Sequence, residues 1–295
     1  MIYMMGKITL FLMTKKGLKV LNSALEYLEL IDSVIIGRDS NVKNDYSDEI
    51  KNVCIQNNIR FFYRNDNYTI TSEYCLSVSW KWLLDNKHRK LIVFHDSLLP
   101  KYRGFAPLVN MLINKEEYFG VTALFAQEEY DRGDIIYQKK IKVQYPITIE
   151  CVIDLISELY SDLAVKVFKN IGSNTPLLSY SQDETEASYS LWRGEDDYRL
   201  DWSKSSSDIK RFVDAVSFPF KGAFSLVDKR YVRILEVKIV EDLIIENRDP
   251  GKVIFVNEGN PIVVCGEGLI MIKLMKDEAG NRLDFKDFKF RTWFK

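Results

Sequence analysis

Leu91-Ile92-Val93-Phe94-His95-Asp96-Ser97-Leu98-Leu99-Pro100-Lys101-Tyr102-Arg103-Gly104 decides how the rest of the chain is read. A short apolar run that ends on an imidazole and turns at once through Ser97-Leu98-Leu99-Pro100 reads as a buried strand delivering a titratable group to its open end. Open α/β sheets hold their chemistry at that end of their strands. The only other histidine is His88. Downstream, Tyr130-Asp131-Arg132-Gly133-Asp134-Ile135-Ile136 sets a carboxylate two residues before a glycine that allows a tight turn. A histidine and an aspartate at two loop edges can pair.

Upstream of this stretch, strand and helix patterns alternate. Residues 8–13 read as a buried strand, and residues 16–30 carry Leu18, Val20, Leu21, Ala24, Leu25 and Leu28 at helical spacing. A second strand is expected over 33–37, a helix over 47–57 begun by Ser47 and Asp48, and a third strand over 59–63. Residues 72–84 carry Cys75, Leu76, Val78, Trp80 and Trp82, and the strand that ends at His95 follows. Repeated β-α-β spacing predicts an α/β domain with a mostly parallel sheet.

Downstream, a short helix is expected over 107–113, strands over 120–125 and 135–143, and a long amphipathic helix over 149–170. The polar stretch 171–190, with Gly172, Pro176 and several serines, reads as the linker between a first domain of residues 1–175 and a second of 190–295. The second opens on a helix over 206–216. Short strands then follow between turn signals at Asp249-Pro250-Gly251 and Glu258-Gly259-Asn260-Pro261, the pattern of a small, mainly β barrel or open sheet.

Composition sets the class. With 46% hydrophobic and 28% charged residues the chain reads as a soluble globular protein. A net charge of −1 provides no field that would draw it to nucleic acid or to a membrane. Cys54, Cys75, Cys151 and Cys265 form no CxxC pair, which argues against a disulfide framework or a metal site and fits a reducing, cytoplasmic setting. Residues 1–7 show no basic lead before the short apolar run, so the start is read as a strand rather than a leader. The triplet Asn67-Tyr68-Thr69 matches the glycosylation sequon, which carries no meaning in a cytoplasmic protein.

No GxGxxG opens the first helix, no GxxxxGK[ST] occurs, and no GxSxG elbow is present, so dinucleotide, P-loop and serine-hydrolase sites are not expected. Through His95-Asp96-Ser97-Leu98-Leu99-Pro100-Lys101-Tyr102-Arg103-Gly104, Pro107-Leu108, Gly120-Val121-Thr122 and Asp131-Arg132-Gly133-Asp134-Ile135-Ile136, the chain resembles the formyltransferase superfamily that uses N10-formyltetrahydrofolate. That resemblance covers residues 1 to about 170 and implies a Rossmann-like catalytic domain. It extends into the second half at Leu200-Asp201-Trp202, Phe218-Pro219-Phe220-Lys221-Gly222-Ala223-Phe224 and Pro250-Gly251-Lys252-Val253-Ile254, which look like the family's C-terminal domain. Trp80-Lys81-Trp82 and Trp192-Arg193-Gly194-Glu195-Asp196-Asp197-Tyr198 look more like enzymes that formylate nucleotide-linked 4-amino sugars. The nearest implied branch acts on UDP-linked 4-amino-4,6-dideoxy-N-acetylhexosamines of the pseudaminic pathway, for surface-glycan or flagellin glycosylation.

The resemblance implies His95 as the donor to the developing oxyanion and Asp131 as the group that relays the amine proton. Family members carry Asn-x-His, but the Asn position here is Val93, and Asn110 is the candidate substitute amide. Folate contacts are expected from Ser79, Trp80, Leu98, Glu128 and Asp131, and acceptor contacts from Ser97, Arg103, Gly104, Trp192 and Tyr198. Each of these has an ordinary structural role as well: Ser97 as a loop cap, Arg103 as a surface charge, the tryptophans as core. A monomer or homodimer is expected, with no metal. Two other readings stay open: a methionyl-tRNA formyltransferase-like enzyme, which predicts a basic second domain, and a degenerate folate or nucleotide-sugar binding protein. Residues 192–295 mix acids and bases closely, and Glu195-Asp196-Asp197 is a negative run, which favours the sugar substrate.

Overall fold

The apolar run at 8–13 lies mostly within β1 (Met4–Leu12), which leads into α1 (Thr14–Ala24) with Val20, Leu21 and Ala24 buried on one face. In the computed structural model, which describes residues 4–40, 42, 44–84, 90–227, 230–283 and 291–295, the predicted helix over 16–30 does not run its full length. Residues 25–30 tighten into a 3-10 turn, and Tyr27 leaves helical geometry (φ −128°, ψ 36°) to stack on Phe168 with ring centroids 5.7 Å apart. Tertiary packing overrides the helical period there.

The chain then forms β2 (Ile31–Ile36), α2 (Ser47–Gln56), β3 (Phe61–Tyr63), β4 (Ser72–Val78), β5 (Lys90–His95) and β6 (Arg103–Gly104). α3 (Pro107–Ile113), β7 (Tyr118–Phe125), β8 (Ile135–Lys142), α4 (Ile149–Gly172) and β9 (Tyr189–Ser190) follow. Seven strands make one sheet in the order β3-β2-β1-β4-β5-β7-β8. The first five run parallel, β7 pairs antiparallel with β5 and β8 antiparallel with β7, giving the mostly parallel Rossmann-like sheet expected. Strand order reverses between β1 and β4, the point at which open sheets leave a crevice beyond their carboxyl ends. Leu12 pairs with Val78 and Val78 with Phe94, so β1, β4 and β5 end side by side.

The described chain divides into two compact units. The first is Met1–Pro107, Glu117–Val143 and Val152–Leu191; the second is Leu108–Glu116, Gln144–Cys151 and Trp192–Lys295. Residues 171–190, read from sequence as a linker, therefore belong to the first unit. β9 pairs in parallel with β6, and Ile135 exchanges backbone hydrogen bonds with Tyr180. A polar stretch can be tightly held when its partners are backbone and charge rather than apolar surface.

In the second unit, α5 (Ser206–Val216) starts at a Ser205 cap, whose Oγ accepts the Asp208 N–H at 3.1 Å. It packs on an antiparallel sheet of β10 (Ala223–Val227), β11 (Arg230–Val240), β12 (Val253–Asn257), β13 (Asn260–Val264) and β14 (Leu269–Lys276), in the order β10-β11-β14-β13-β12. Residues 292–295 bridge the two edges. Phe294 pairs with Val227 of β10, Trp293 pairs with Lys252 just before β12, and Leu226 and Lys295 exchange both backbone bonds. The sheet is thus drawn toward a barrel, with Trp202 and Phe294 packed inside.

Candidate active site

His95 is the last residue of β5 and is nearly buried, at 7% exposure. Its Nε2 lies 2.8 Å from the Tyr102 carbonyl oxygen, and its Nδ1 lies 3.4 Å from Asp131 Oδ1. The structure therefore brings together the two residues singled out as the reacting pair. Asp131 sits at φ +59° on the loop between β7 and β8, and its Oδ2 accepts the Gly104 N–H at 2.8 Å. Each carboxylate oxygen has its own partner, which fixes the face that Asp131 turns to the imidazole.

The loop after β5 is knitted into the sheet. Thr122 Oγ1 on β7 donates to the Ser97 carbonyl at 2.7 Å and accepts the Leu99 N–H at 3.1 Å. Gln138 on β8 donates to the Leu99 carbonyl at 2.8 Å. Ser97, expected on the acceptor side, is instead fully buried, and its Oγ closes the loop by donating to the Lys101 carbonyl at 2.6 Å. Leu98, expected against the folate, lays its methyl groups on Gly120 of β7.

Arg103 was expected to grip the acceptor's phosphate; the structure corrects this. Its side chain is fully buried and all five N–H groups are used. Nε and Nη2 donate to Gln182 Oε1 at 3.1 and 2.7 Å. Nη1 and Nη2 donate to the two Glu184 oxygens at 2.9 and 2.8 Å, and Nη1 reaches the Tyr189 hydroxyl at 3.3 Å. A guanidinium has five donors, and this one has none left for a ligand. Arg103 holds Glu184 down to about 2, well below the usual carboxylate range. Gln182 in turn donates to the carbonyls of Asp131 and Gly133 at 2.7 and 2.8 Å, so the same clamp fixes the aspartate's loop.

Two glycines are required by this construction. A Cβ on Gly104 (φ +99°) would meet the Ser190 carbonyl oxygen at 2.6 Å, and one on Gly133 would meet the Phe125 oxygen at 1.6 Å. Gly104, also expected to contact the acceptor, serves here as a backbone donor to Asp131 in a space no side chain can share.

Val93 gives no second donor. It packs with Leu99, Leu124 and Ile135 on one cluster and against the Cys75 and Leu91 cluster as well. Asn110, its proposed substitute, lies on α3 in the second unit, where its Oδ1 accepts two N–H groups of Arg193 at 2.6 and 3.2 Å.

The neighbouring loop, after β4, is different. Because Val78 pairs with Phe94, Ser79 leaves the sheet beside His95. Ser79 Oγ and Trp80 Nε1 are both buried with no hydrogen-bond partner among the described residues. Trp80 packs edge-on to Phe11 and Trp82, each 5.1 Å away between centroids. A buried, unpaired hydroxyl and indole N–H cost stability unless a ligand meets them. They suit a polar heterocycle. Glu128 is exposed and lines an open cleft of about 630 Å³ with Gln127, Glu129, Arg132 and Glu184.

In the second unit, Trp192 is 68% exposed and folds back over Gly194. Tyr198 is half-buried, and burial pushes its phenol up. Gln182 and Glu184 are functional-site supports that the sequence did not single out; the one available signal was the acidic and amide content of a stretch otherwise read as linker.

The chain as a whole has counterparts among known proteins. The formyl transferase family model matches residues 64–167, and the formyl transferase C-terminal domain model matches residues 194–291. The chain belongs to the formyl transferase family. A methionyl-tRNA formyltransferase of Halothermothrix orenii is 34% identical over 179 residues, covering 59% of this chain and 55% of that one. Another, of Lachnospira eligens, is 28% identical over 197 residues, covering 66% and 62%. The chain spans about three-fifths of the length of the curated relatives it matches. Among solved structures, an N-formyltransferase from Helicobacter canadensis, crystallised with folinic acid and dTDP-3-aminofucose, superposes with a TM-score of 0.69. It is 18% identical, and the match covers 92% of this formyl transferase and 99% of that chain, which establishes a shared fold.

Proposed function

We propose that this formyl transferase moves a formyl group from N10-formyltetrahydrofolate to the amine of a nucleotide-linked 4-amino-4,6-dideoxy sugar, with a UDP-linked 4-amino-4,6-dideoxy-N-acetylhexosamine as the preferred acceptor. The observation that carries this reading is the His95–Asp131 pair at the end of β5, in the setting of the family's formyl-transfer chemistry. Bound folate supplies the formyl carbonyl and the nitrogen that leaves it. Ser79 Oγ and Trp80 Nε1 would hold its heterocycle, since both are buried polar atoms without a hydrogen-bond partner among the described residues. His95 donates to the carbonyl oxygen from Nε2, which it shares with the Tyr102 carbonyl 2.8 Å away, as negative charge develops there; a well-placed donor of this kind contributes about 3 kcal/mol. Asp131 accepts the proton that the attacking amine must lose, directly or through one water, and passes it to the nitrogen that departs as the new C–N bond forms and the old one breaks.

Acceptor identity rests on the second unit. Trp192 is an exposed indole in a segment rich in Glu and Asp, a platform suited to stacking a base or sugar and unsuited to a phosphate backbone. The Helicobacter canadensis protein with its dTDP-linked amino sugar supports the same class. A second reading, formylation of an aminoacylated tRNA, is favoured by the curated relatives, which are methionyl-tRNA formyltransferases.

The test is a mass-spectrometric screen of the wild-type protein with formyl donor and a set of UDP-, dTDP- and GDP-linked amino sugars, with methionyl-tRNA in parallel. Gain of one formyl group on a UDP-linked 4-amino sugar is the expected result. Transfer to the tRNA alone would replace the first reading with the second, and transfer to neither would leave a binding protein. Trp192→Ala is expected to weaken sugar binding by about 1–3 kcal/mol and leave folate binding unchanged. Equal loss of both would assign the indole a structural role.

A further inference from the structure

The residues that flank His95 in the chain are both held by one buried phenol. Tyr160, on α4 and 1% exposed, places its hydroxyl 3.2 Å from the Phe94 carbonyl oxygen and 2.9 Å from Asp96 Oδ1. Its ring lies 5.4 Å from that of Phe94. The other Asp96 oxygen takes the ammonium of Lys16 at 2.5 Å. Lys16 comes from the first turn of α1 and is itself buried, with its Nζ 5.5 Å from the centre of the Tyr160 ring.

A lysine, an aspartate and a tyrosine that converge from three separate elements, in a site drier than the surface, are costly to assemble unless each satisfies the others. Nothing in the formyl-transfer step described above uses them. A lysine in the first turn also opposes the positive end of the helix dipole, so α1 gains nothing locally from Lys16. The cluster ties residues 94–96 to α1 and α4.

We infer that Lys16, Asp96 and Tyr160 are positioning residues that set the place and ring orientation of His95. Tyr160 anchors the strand on the near side of the imidazole, Lys16 anchors the carboxylate on its far side, and His95 has no freedom to shift along β5 or to rotate away from Asp131. Burial, then the nearby Asp96, pushes the Tyr160 phenol well up, so it stays a hydrogen-bond donor at any working pH. This inference rests on the reading of His95 as the reacting acid, and one arm of its test does not depend on activity.

The test uses the full-length protein carrying Tyr160→Phe, Lys16→Met or Lys16→Arg. Misplacing a reacting group by about 1 Å costs up to about a hundredfold. Tyr160→Phe and Lys16→Met are expected to lower kcat by about tenfold to a hundredfold, with KM for donor and acceptor unchanged within about twofold. Lys16→Arg should recover much of the loss. The second arm is nitrogen-15 imidazole spectroscopy in a His88→Gln background, which leaves His95 as the single ring observed. Its Nε2–H signal, held by the Tyr102 carbonyl, should move or broaden in Tyr160→Phe and Lys16→Met and return in Lys16→Arg. If Lys16→Met does not fold, Lys16→Met with Asp96→Asn removes both charges together and is read in the same way. Variants that lose thermal stability while keeping kcat and the His95 signal would overturn the inference. A wild-type protein that transfers no formyl group, but whose His95 signal still responds, would sink the functional reading and leave the positioning cluster standing.

Discussion

The loop after β5 and the loop after β4 leave the sheet from adjacent strand ends, and they are finished to different degrees. In the first, Asp96, Ser97 and Arg103 spend their side-chain polar atoms on protein partners. In the second, Ser79 Oγ and Trp80 Nε1 are buried and have no hydrogen-bond partner among the described residues. A group that must hold a reacting atom still is worth fixing in advance, because preorganised geometry costs no rearrangement during the reaction. A group that must receive a ligand cannot be satisfied beforehand without blocking the ligand. On the proposed function, the contrast separates the reacting side of the crevice from the side that binds.

The strongest way to break that contrast is to remove the reacting pair. His95→Ala and Asp131→Ala are each expected to lower turnover by about a hundredfold or more, with circular dichroism unchanged. Near wild-type turnover in either variant would remove that residue from the chemistry and make the β5 loop a purely structural region.

Next in size is the clamp. Arg103→Met leaves Gln182 and the Asp131 loop without their anchor, and we expect a loss of about 2–4 kcal/mol in urea unfolding. Glu184 adds a pH signature. Its folded value, about 2, lies below the ordinary carboxylate value, so its contribution is complete at neutral pH and is lost as pH falls toward 2. Thermal melts from pH 7 to pH 2 should show wild type above Glu184→Gln at neutral pH and the two converging in acid. A constant gap across that range would mean that the charge on Glu184 does not hold the clamp.

The smallest effect belongs to the unfinished loop. Ser79→Ala removes a hydroxyl with no hydrogen-bond partner among the described residues, so the unliganded protein should melt no lower than wild type, while folate affinity measured by calorimetry falls by about 0.5–1.5 kcal/mol. A drop in melting temperature with unchanged affinity would show that the hydroxyl serves the fold and that the contrast between the loops is false.

Much of this was legible in the chain. The alternation of strand and helix led to the sheet, and α5 occupies residues 206–216 as its period and cap predict. His95 and Asp131 were readable as a pair because each lies in a short motif at a strand end. What stayed hidden depends on partners far apart in sequence: Arg103 with Gln182 and Glu184, Asp96 with Lys16 and Tyr160. No local pattern encodes which charge will meet which once the chain is folded. For the same reason Arg103 looked like a ligand-binding residue. An arginine beside a glycine turn has the same sequence signature whether its guanidinium faces a phosphate or a buried carboxylate.

The buried guanidinium of Arg103 changes what the stretch Tyr102-Arg103-Gly104 is worth as a label. Its arginine and glycine are tied to Gln182, Glu184 and the approach of Ser190, which are matters of assembly. A descendant of this chain in which His95 alone had changed would still need those letters to fold. They certify a scaffold, and on the proposed function the reacting groups must be read elsewhere, at His95 and Asp131.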